Sequence, residues 1–390
     1  MPLEVIKMSK VKFSDVVVRA NTKEDRHNTD LEFYVGGEHI DTDEVVIEKR
    51  GLIAGSTIGP MFYFGFKAGQ VLFVSRNPHL RKAGMVTFDG ICSEKTFVLE
   101  TKNESVLLQR YLPFILQSDH FWAYAEAHKS GSVNFFINWS TLADYEFELP
   151  GIQKQQELAD VLWAMTETRL SYKRLLMATD ELIKSRFVEL FGEPGSDDKG
   201  WGLTTLGECC ELNPKRPRNI SDDLLVSFVP MPAVSENGKM DCSDVRLYSD
   251  VKKGFTYFAE NDVLFAKITP CMENGKGAIA TGLSNGIGSG STEFHVLRPK
   301  SGISNPYWIY ILTMFDNFRL NAKKVMTGTG GQLRVPAYFL KEYPISLPPI
   351  ELQEQFESFV VQSNISKDEI QMSIDRLTSA YRSVLSENFA

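Results

Sequence analysis

Two stretches of the chain carry apolar residues at steps of three and four, the spacing that lines one face of an α-helix. The first runs Leu158, Val161, Leu162, Met165, Tyr172, Leu175, Leu176, Leu182, Ile183, Phe187 and Leu190. Proline is absent from Gly151 to Phe191, and Gly192-Glu193-Pro194-Gly195 supplies a stop. The second runs Phe356, Phe359, Val360, Ile370, Ile374, Leu377, Tyr381, Val384 and Leu385, and thins around Ser363 to Lys367, where a kink or poor packing is expected. Each pattern predicts a helix of about 40 residues, roughly 60 Å long. Both stripes are narrow and both flanks are charged, so the two helices are expected to bury their stripes on each other as a coiled-coil pair. The competing expectation is that each lies on its own domain.

The segments before these helices read differently. Short β-rich runs recur, such as Val71-Leu72-Phe73-Val74 and Thr96-Phe97-Val98-Leu99, and later Val263-Leu264-Phe265 and Phe294-His295-Val296-Leu297. Glycine turns separate them, for example Asn274-Gly275-Lys276-Gly277 and Asn285-Gly286-Ile287-Gly288. One helix is predicted late in each segment, over Val106 to Glu126 and over Pro306 to Lys324. Each segment is therefore expected to be an α+β domain. The uncharged run Gly51 to Phe66 is too short and too glycine-broken to span a bilayer, and predicts buried strands with turns.

The halves repeat. Leu149-Pro150-Gly151-Ile152-Gln153-Lys154-Gln155-Gln156 is answered 198 positions later by Leu347-Pro348-Pro349-Ile350-Glu351-Leu352-Gln353-Glu354. The same offset pairs Tyr145 with Tyr343, Leu158 with Phe356 and Phe191 with Phe389. Ser130-Gly131-Ser132 is answered by Thr327-Gly328-Thr329 at 197, and Gln70-Val71-Leu72-Phe73 by Asp262-Val263-Leu264-Phe265 at 192. Several matches in order, with small shifts of offset, indicate a duplication with loop insertions.

Composition adds bounds. At 390 residues, two domains are expected. The opening residues lack the charged-then-apolar run of a secretory leader, and five cysteines without framework spacing point to a reducing cytoplasm. Net charge is −8, which argues against nucleic acid until it is mapped: residues 1–148 carry −4, 149–192 carry 0, 193–200 carry −2, 201–346 carry +2 and 347–390 carry −4. Basic clusters remain at Arg76, Arg81 and Lys82; at Lys215, Arg216 and Arg218; at Lys252 and Lys253; and at Lys323 and Lys324. Phosphate contact requires such clusters and not a basic total.

Catalytic motifs are missing. There is no Gly-Lys-Ser or Gly-Lys-Thr phosphate loop and no Gly-x-Ser-x-Gly elbow. The six histidines show no metal spacing, although His120 and His128 could share a helix face. Adjacent Cys209 and Cys210 are expected to point apart on a partly buried edge strand. Asn213-Pro214 is followed by Lys215, so the Asn-Pro-Pro-aromatic signature of an amino-methyltransferase is absent.

Thr327-Gly328-Thr329-Gly330-Gly331-Gln332-Leu333-Arg334-Val335-Pro336 followed by Leu347 to Gln355, its weaker echo from Ser130 to Gln156, and Trp201 to Glu208 together resemble the specificity (S) subunits of type I restriction–modification systems. The resemblance covers essentially the whole chain. The first copy departs from it: Gly151 replaces the second proline, and its loop lacks Gly-Gly-Gln. The resemblance implies target-recognition domains at 1–148 and 201–346, each followed by a spacer helix at 149–192 and 347–390, with 193–200 as linker. It implies an antiparallel pairing of the helices, which set the distance between the domains. The expected partners are double-stranded DNA, two methyltransferase subunits and, in the full complex, restriction subunits, with no membrane. This chain is expected to be non-catalytic and to bind no cofactor, with S-adenosylmethionine, ATP and Mg carried by the partners.

Half-sites on one DNA face lie about 34–36 Å apart, a spacing that paired helices can hold and a flexible linker cannot. Base reading uses Arg toward guanine and Asn or Gln toward adenine. The candidates in loops that correspond across the repeat are Arg76, Asn77, Arg81, Lys82, Ser130, Ser132 and Asn134 in the first domain, and Lys267, Thr269, Asn274, Lys276, Thr327, Thr329, Gln332 and Arg334 in the second. The modest charge predicts weak DNA binding by the chain alone. A two-domain protein-interaction scaffold and a self-sufficient nuclease or methyltransferase are the competing readings.

Overall fold

The computed structural model describes residues 9–389. The reading of the chain's opening, and the first edge of the domain expected at 1–148, begin on residues 1–8, outside the described residues. Two compact units are formed: one of residues up to Arg174 together with those from Gln371 on, the other Leu175–Ile370. The long helices Ile152–Phe191 and Ile350–Asn388 each contribute one end to each unit.

The fold is α+β and doubled. In the first unit one sheet runs, from edge to edge, Val17–Ala20, Thr96–Thr101, Val71–Val74, Ala83–Val86 and Val46–Ile47. A second runs Gly51–Leu52, Phe33–Val35, Gly90–Ser93 and Phe62–Phe66. The second unit repeats both orders, without a counterpart of Val46–Ile47 among the described residues: Cys210–Leu212, Phe294–Pro299, Val263–Ala266 and Gly277–Ile279; then Val245–Leu247, Leu225–Val229, Ile287–Gly290 and Thr256–Ala259. The single parallel pairing of the second sheet recurs as well, Phe33–Val35 on Gly90–Ser93 and Leu225–Val229 on Ile287–Gly290. Each body is closed by a ladder between its first and last strands, Ser9–Lys12 with Glu146–Leu149 and Leu203–Thr205 with Pro344–Ser346.

The apolar runs become strands buried on both faces. Val71 and Phe73 enter one core cluster while Leu72 and Val74 enter another, as the two-residue period of a strand requires. Val263 and Phe265 against Leu264 and Ala266 do the same in the second unit.

In the first unit, Leu158, Ala159 and Leu162 near the start of one long helix share a core with Tyr381 and Leu385 near the end of the other. In the second unit, Ile183, Phe187 and Phe191 meet Phe356 and Val360, with Phe356 5.6 Å and 5.3 Å from the two phenylalanine rings. Within each unit the helices thus pair antiparallel. Each pair also packs on its body, through Tyr111 and Phe114 in one unit and Trp308 and Leu312 in the other. Pairing and packing on the domain, set against each other in the sequence reading, occur together. Val161, Leu175 and Leu182 of the predicted stripe remain exposed.

One residue sets each junction between body and helix. Gln155 is fully buried: its Nε2 donates to the carbonyls of Val106 and Pro150, both at 2.8 Å, and its Oε1 accepts from Leu108 N at 3.0 Å. Gln353 repeats this with the carbonyls of Ile303 (3.1 Å) and Pro348 (2.9 Å) and with Asn305 N (2.9 Å). All the hydrogen-bonding groups of each amide are used.

Several expectations are corrected. Each predicted late helix is two: Leu112–Gln117 and Asp119–Ala127, then Pro306–Thr313 and Asp316–Lys324. Ser118 (ψ 145°) and Phe315 (ψ 138°) are extended and break the helical hydrogen bonding at the same point of both copies, and the Ser118 hydroxyl caps the next turn by accepting from Phe121 N. The second long helix is continuous through Ser363 to Lys367, where the Ser363 and Ser366 hydroxyls donate to carbonyls four residues back and Lys367 pairs with Asp180. Cys209 ends a short helix and Cys210 begins an edge strand, and both are buried, so they do not point apart along one strand. Within Gly51 to Phe66, only Gly51–Leu52 and Phe62–Phe66 are strand, and the stretch between them is mostly exposed. No helix of the described residues is long and apolar enough to cross a membrane.

Replacing Gln353 by Leu leaves a buried amide N–H and two carbonyls without partners, each costing about 1–3 kcal/mol. The Gln353→Leu chain is expected to lose about 3 kcal/mol or more in chemical denaturation followed through the second unit. An unchanged midpoint would show that the clamp contributes nothing.

Candidate nucleic-acid interface

In each body the loop after the central buried strand is stitched to a hairpin from the later part of the chain. In the first, Ser130 and Phe136 exchange backbone hydrogen bonds of 2.7 and 2.9 Å. Asn77 N donates to Phe135 O (2.8 Å), and Ile137 N to Ser75 O (2.9 Å). In the second, Thr327–Thr329 pairs with Gln332–Arg334. Thr269 N donates to Leu333 O (3.0 Å), the Thr269 hydroxyl to Gly331 O (2.8 Å), and Val335 N to Lys267 O (2.8 Å). The bridges Arg76 to Phe136 and Ile268 to Arg334 occupy matching places in the repeat. The glycine-rich segment is therefore a hairpin, a finger held on the body, rather than a loose loop. Gly330 and Gly331 turn it at φ of 63° and 79°, a region that favours glycine.

These contacts gather Arg76, Asn77 and Ser130 on the first body, with Ser132 and Asn134 exposed at the finger tip. On the second they gather Lys267, Thr269, Thr327, Thr329, Gln332 and Arg334. Asn274 lies exposed in the turn that follows Thr269, its N–H bonded to Pro270 O. Other candidates serve internal contacts. Arg81 is held by Asp43 and Asp119, each at 2.7 Å, and by the Gln117 carbonyl. Lys82 donates to Gly37 O, and Lys276 to Met231 O. Arg334 grips Glu293 with two nitrogens at 2.9 and 2.8 Å, which leaves the Nη1 edge facing the Gln332 carbonyl. Among the basic clusters, Lys252 and Lys323 hold Asp222 and Glu273, and Arg216 donates to Phe255 O. Among the described residues, no group of three or more His, Cys, Asp and Glu is placed to hold a metal ion.

Residues 198–371 match the family described as the type I restriction modification DNA specificity domain. The chain is 46% identical over 160 residues to the type I restriction enzyme EcoAI specificity subunit of Escherichia coli, covering 40% of this chain and 26% of that protein. It is 42% identical over 153 residues to the EcoEI specificity subunit of Escherichia coli, covering 39% and 25%. Residues 198–371 are thus similar to the type I restriction–modification DNA specificity domain. Each match spans about a quarter of the curated relative's length. The fold is shared with the type I restriction–modification S subunit from M. genitalium (TM-score 0.56, 12% identity, covering 100% of this chain and 97% of that one). It is shared too with a chain solved in work on complex assembly and conformational transition of the type I R-M system (TM-score 0.50, 17% identity, covering 100% and 99%).

Sequence reasoning missed what fixes the second finger. His295 is buried on the strand beneath it. Its Nε2–H donates to Val335 O (2.8 Å), the residue that follows the hairpin, and Nδ1 accepts from Asn213 Nδ2 (3.2 Å), a tautomer assigned from these partners. Asn213 Oδ1 in turn accepts from Val296 N. Glu293 lies two residues away and clamps Arg334. The one available sequence signal was the alignment of His295 with Phe97, a polar residue where the other copy keeps a ring. Burial pushes the His295 imidazole below its ordinary range, assisted by the charge of Lys267 and opposed by the Val335 carbonyl and Glu293. Burial likewise lowers the Lys267 ammonium.

A histidine with a depressed folded pKa stabilises above its unfolded value and loses that contribution as pH falls. The thermal midpoint of the second unit is therefore expected to fall as pH drops from about 6.5. The His295→Phe chain should show a flatter acid slope in differential scanning calorimetry. An equal slope in both proteins would place the titrating group elsewhere.

Proposed function

We propose that this chain is the DNA-reading, non-catalytic specificity subunit of a type I restriction–modification complex. In this reading, residues 1–148 and 201–346 each read one half of a bipartite double-stranded target. Helices 149–192 and 347–390 act as the ruler, joined by the linker 193–200, and as the dock for two methyltransferase subunits. Restriction subunits complete the assembly, which works in the cytoplasm with S-adenosylmethionine, ATP and Mg supplied by partners. The observation that carries this is the repeated finger: the same loop-and-hairpin constellation is built twice on the same sheet framework, with different polar residues at each tip. Identical scaffolds with unlike tips suit two half-sites of different sequence.

Two modes of contact follow. Arg76, Lys215, Arg218 and Lys253 are suited to phosphates, which position without specifying. Asn134, Gln332 and the remaining N–H groups of Arg334 are suited to base edges. Much of the chain's other charge is committed internally, so binding by the chain alone should be weak and salt-sensitive.

Methylated adenines mapped in cells expressing the chain with its methyltransferase should define a split motif with a fixed gap. Arg334→Ala is expected to relax one half of that motif by about 1–3 kcal/mol at one position and leave the other half intact. A contiguous motif, or a motif unaltered by changes at both fingers, would overturn the reading.

A further inference from the structure

At their tips the two fingers differ by a replacement that also changes their length. Ser130-Gly131-Ser132 aligns with Thr327-Gly328-Thr329, and Asn134-Phe135-Phe136 with Gln332-Leu333-Arg334. Between them the first finger has Val133 where the second has Gly330-Gly331. The backbone supports this alignment. Gly131 (φ 97°) and Gly328 (φ 145°) hold the same corner, and a Cβ on either would lie 2.6 Å from Asn134 O or 2.3 Å from Gln332 O. Val133 therefore stands at the tip of a hairpin whose arms are pinned by the Ser130–Phe136 pair and by Asn77.

Val133 is 84% exposed and takes no part in the core. Lone exposed apolar residues are common on protein surfaces. This one is distinguished by its place, between exposed Ser132 and Asn134 and on the finger stitched to Arg76. A polar and basic rim around a small apolar tip matches a groove of duplex DNA. There the apolar group open to such a contact is the C5 methyl of thymine, beside acceptors that Asn and Arg can reach.

We propose that Val133 is a specificity-determining residue that reads a thymine methyl in the half-site of the first domain. The second finger, with glycines at this point, reads its half-site through polar groups alone. The inference rests on the DNA-reading function proposed above and deepens it.

The test uses the full chain with its methyltransferase partner and duplexes carrying the mapped target, each thymine replaced in turn by deoxyuridine, which lacks only the methyl. With the unmodified chain, one substitution is expected to weaken binding about fourfold, the factor for one methyl group returned to water. With Val133→Ser, which removes nothing from the core, thymine and uracil at that position should bind alike. Arg334→Ala should keep the discrimination. The proposal is overturned if no position responds to uracil, or if Val133→Ser discriminates as well as the parent. Failure of the unmodified complex to bind any duplex would instead remove the DNA reading beneath it.

Discussion

A buried glutamine at the start of each long helix is the constraint on which the architecture rests. Gln155 and Gln353 each fill a space among three backbone groups that no water reaches, and each satisfies all three. Without that amide, the loop before the paired short helices and the turn before the long helix would have unmatched polar groups in the interior. With it, the helix leaves the body in a defined direction.

Charge reinforces the junctions differently in the two units. In the first, buried Arg169 pairs with Glu44 at 2.9 Å and lies over the Tyr381 ring, and Lys173 and Arg174 reach Glu44 and Glu48. In the second, Asn305 donates to Glu357, and Lys239 pairs with Asp368 across exposed surface. The buried pair is sensitive to loss of one partner, whereas the exposed pair contributes little. Arg298 and Asp262 form a further bidentate pair inside the second body. With so many cations committed within the fold, the net charge of −8 describes the chain poorly as a ligand for a polyanion. What matters is which cations remain outward, and Arg76 on the first body is one of them.

The doubled framework also explains how the fingers could diverge. Finger position is set first by backbone pairing to the loop after the central strand, to which the second finger adds side-chain bonds from Thr269, His295 and Glu293. Phe136 and Arg334 occupy matching bridges yet differ completely in chemistry, and Phe97 and His295 do the same on the strand below. Residues at the tip can change while the sheets keep their order.

The sequence by itself determined the duplication, the strands and the two long helices, because these follow from local periodicity and from turns that glycine and proline enforce. Val71 to Val74 was legible as a strand, and Leu149-Pro150-Gly151-Ile152 as the start of a helix. Breaks at Ser118 and Phe315 were not foreseen, because each rests on one extended residue inside an otherwise continuous apolar pattern, although Ser118 and the Asp316-Asn317 pair are residues that favour helix starts. The exposure of Leu175 and Leu182 was likewise hidden, because periodicity marks a face without saying what covers it. Only the tertiary structure decided which basic residues are occupied and which are outward. Arg81 and Arg76 look alike in a sequence, but Asp43 and Asp119 come from distant segments to hold the first and leave the second in solvent. Long-range partners of that kind depend on the folded path of the chain, and no local pattern encodes them.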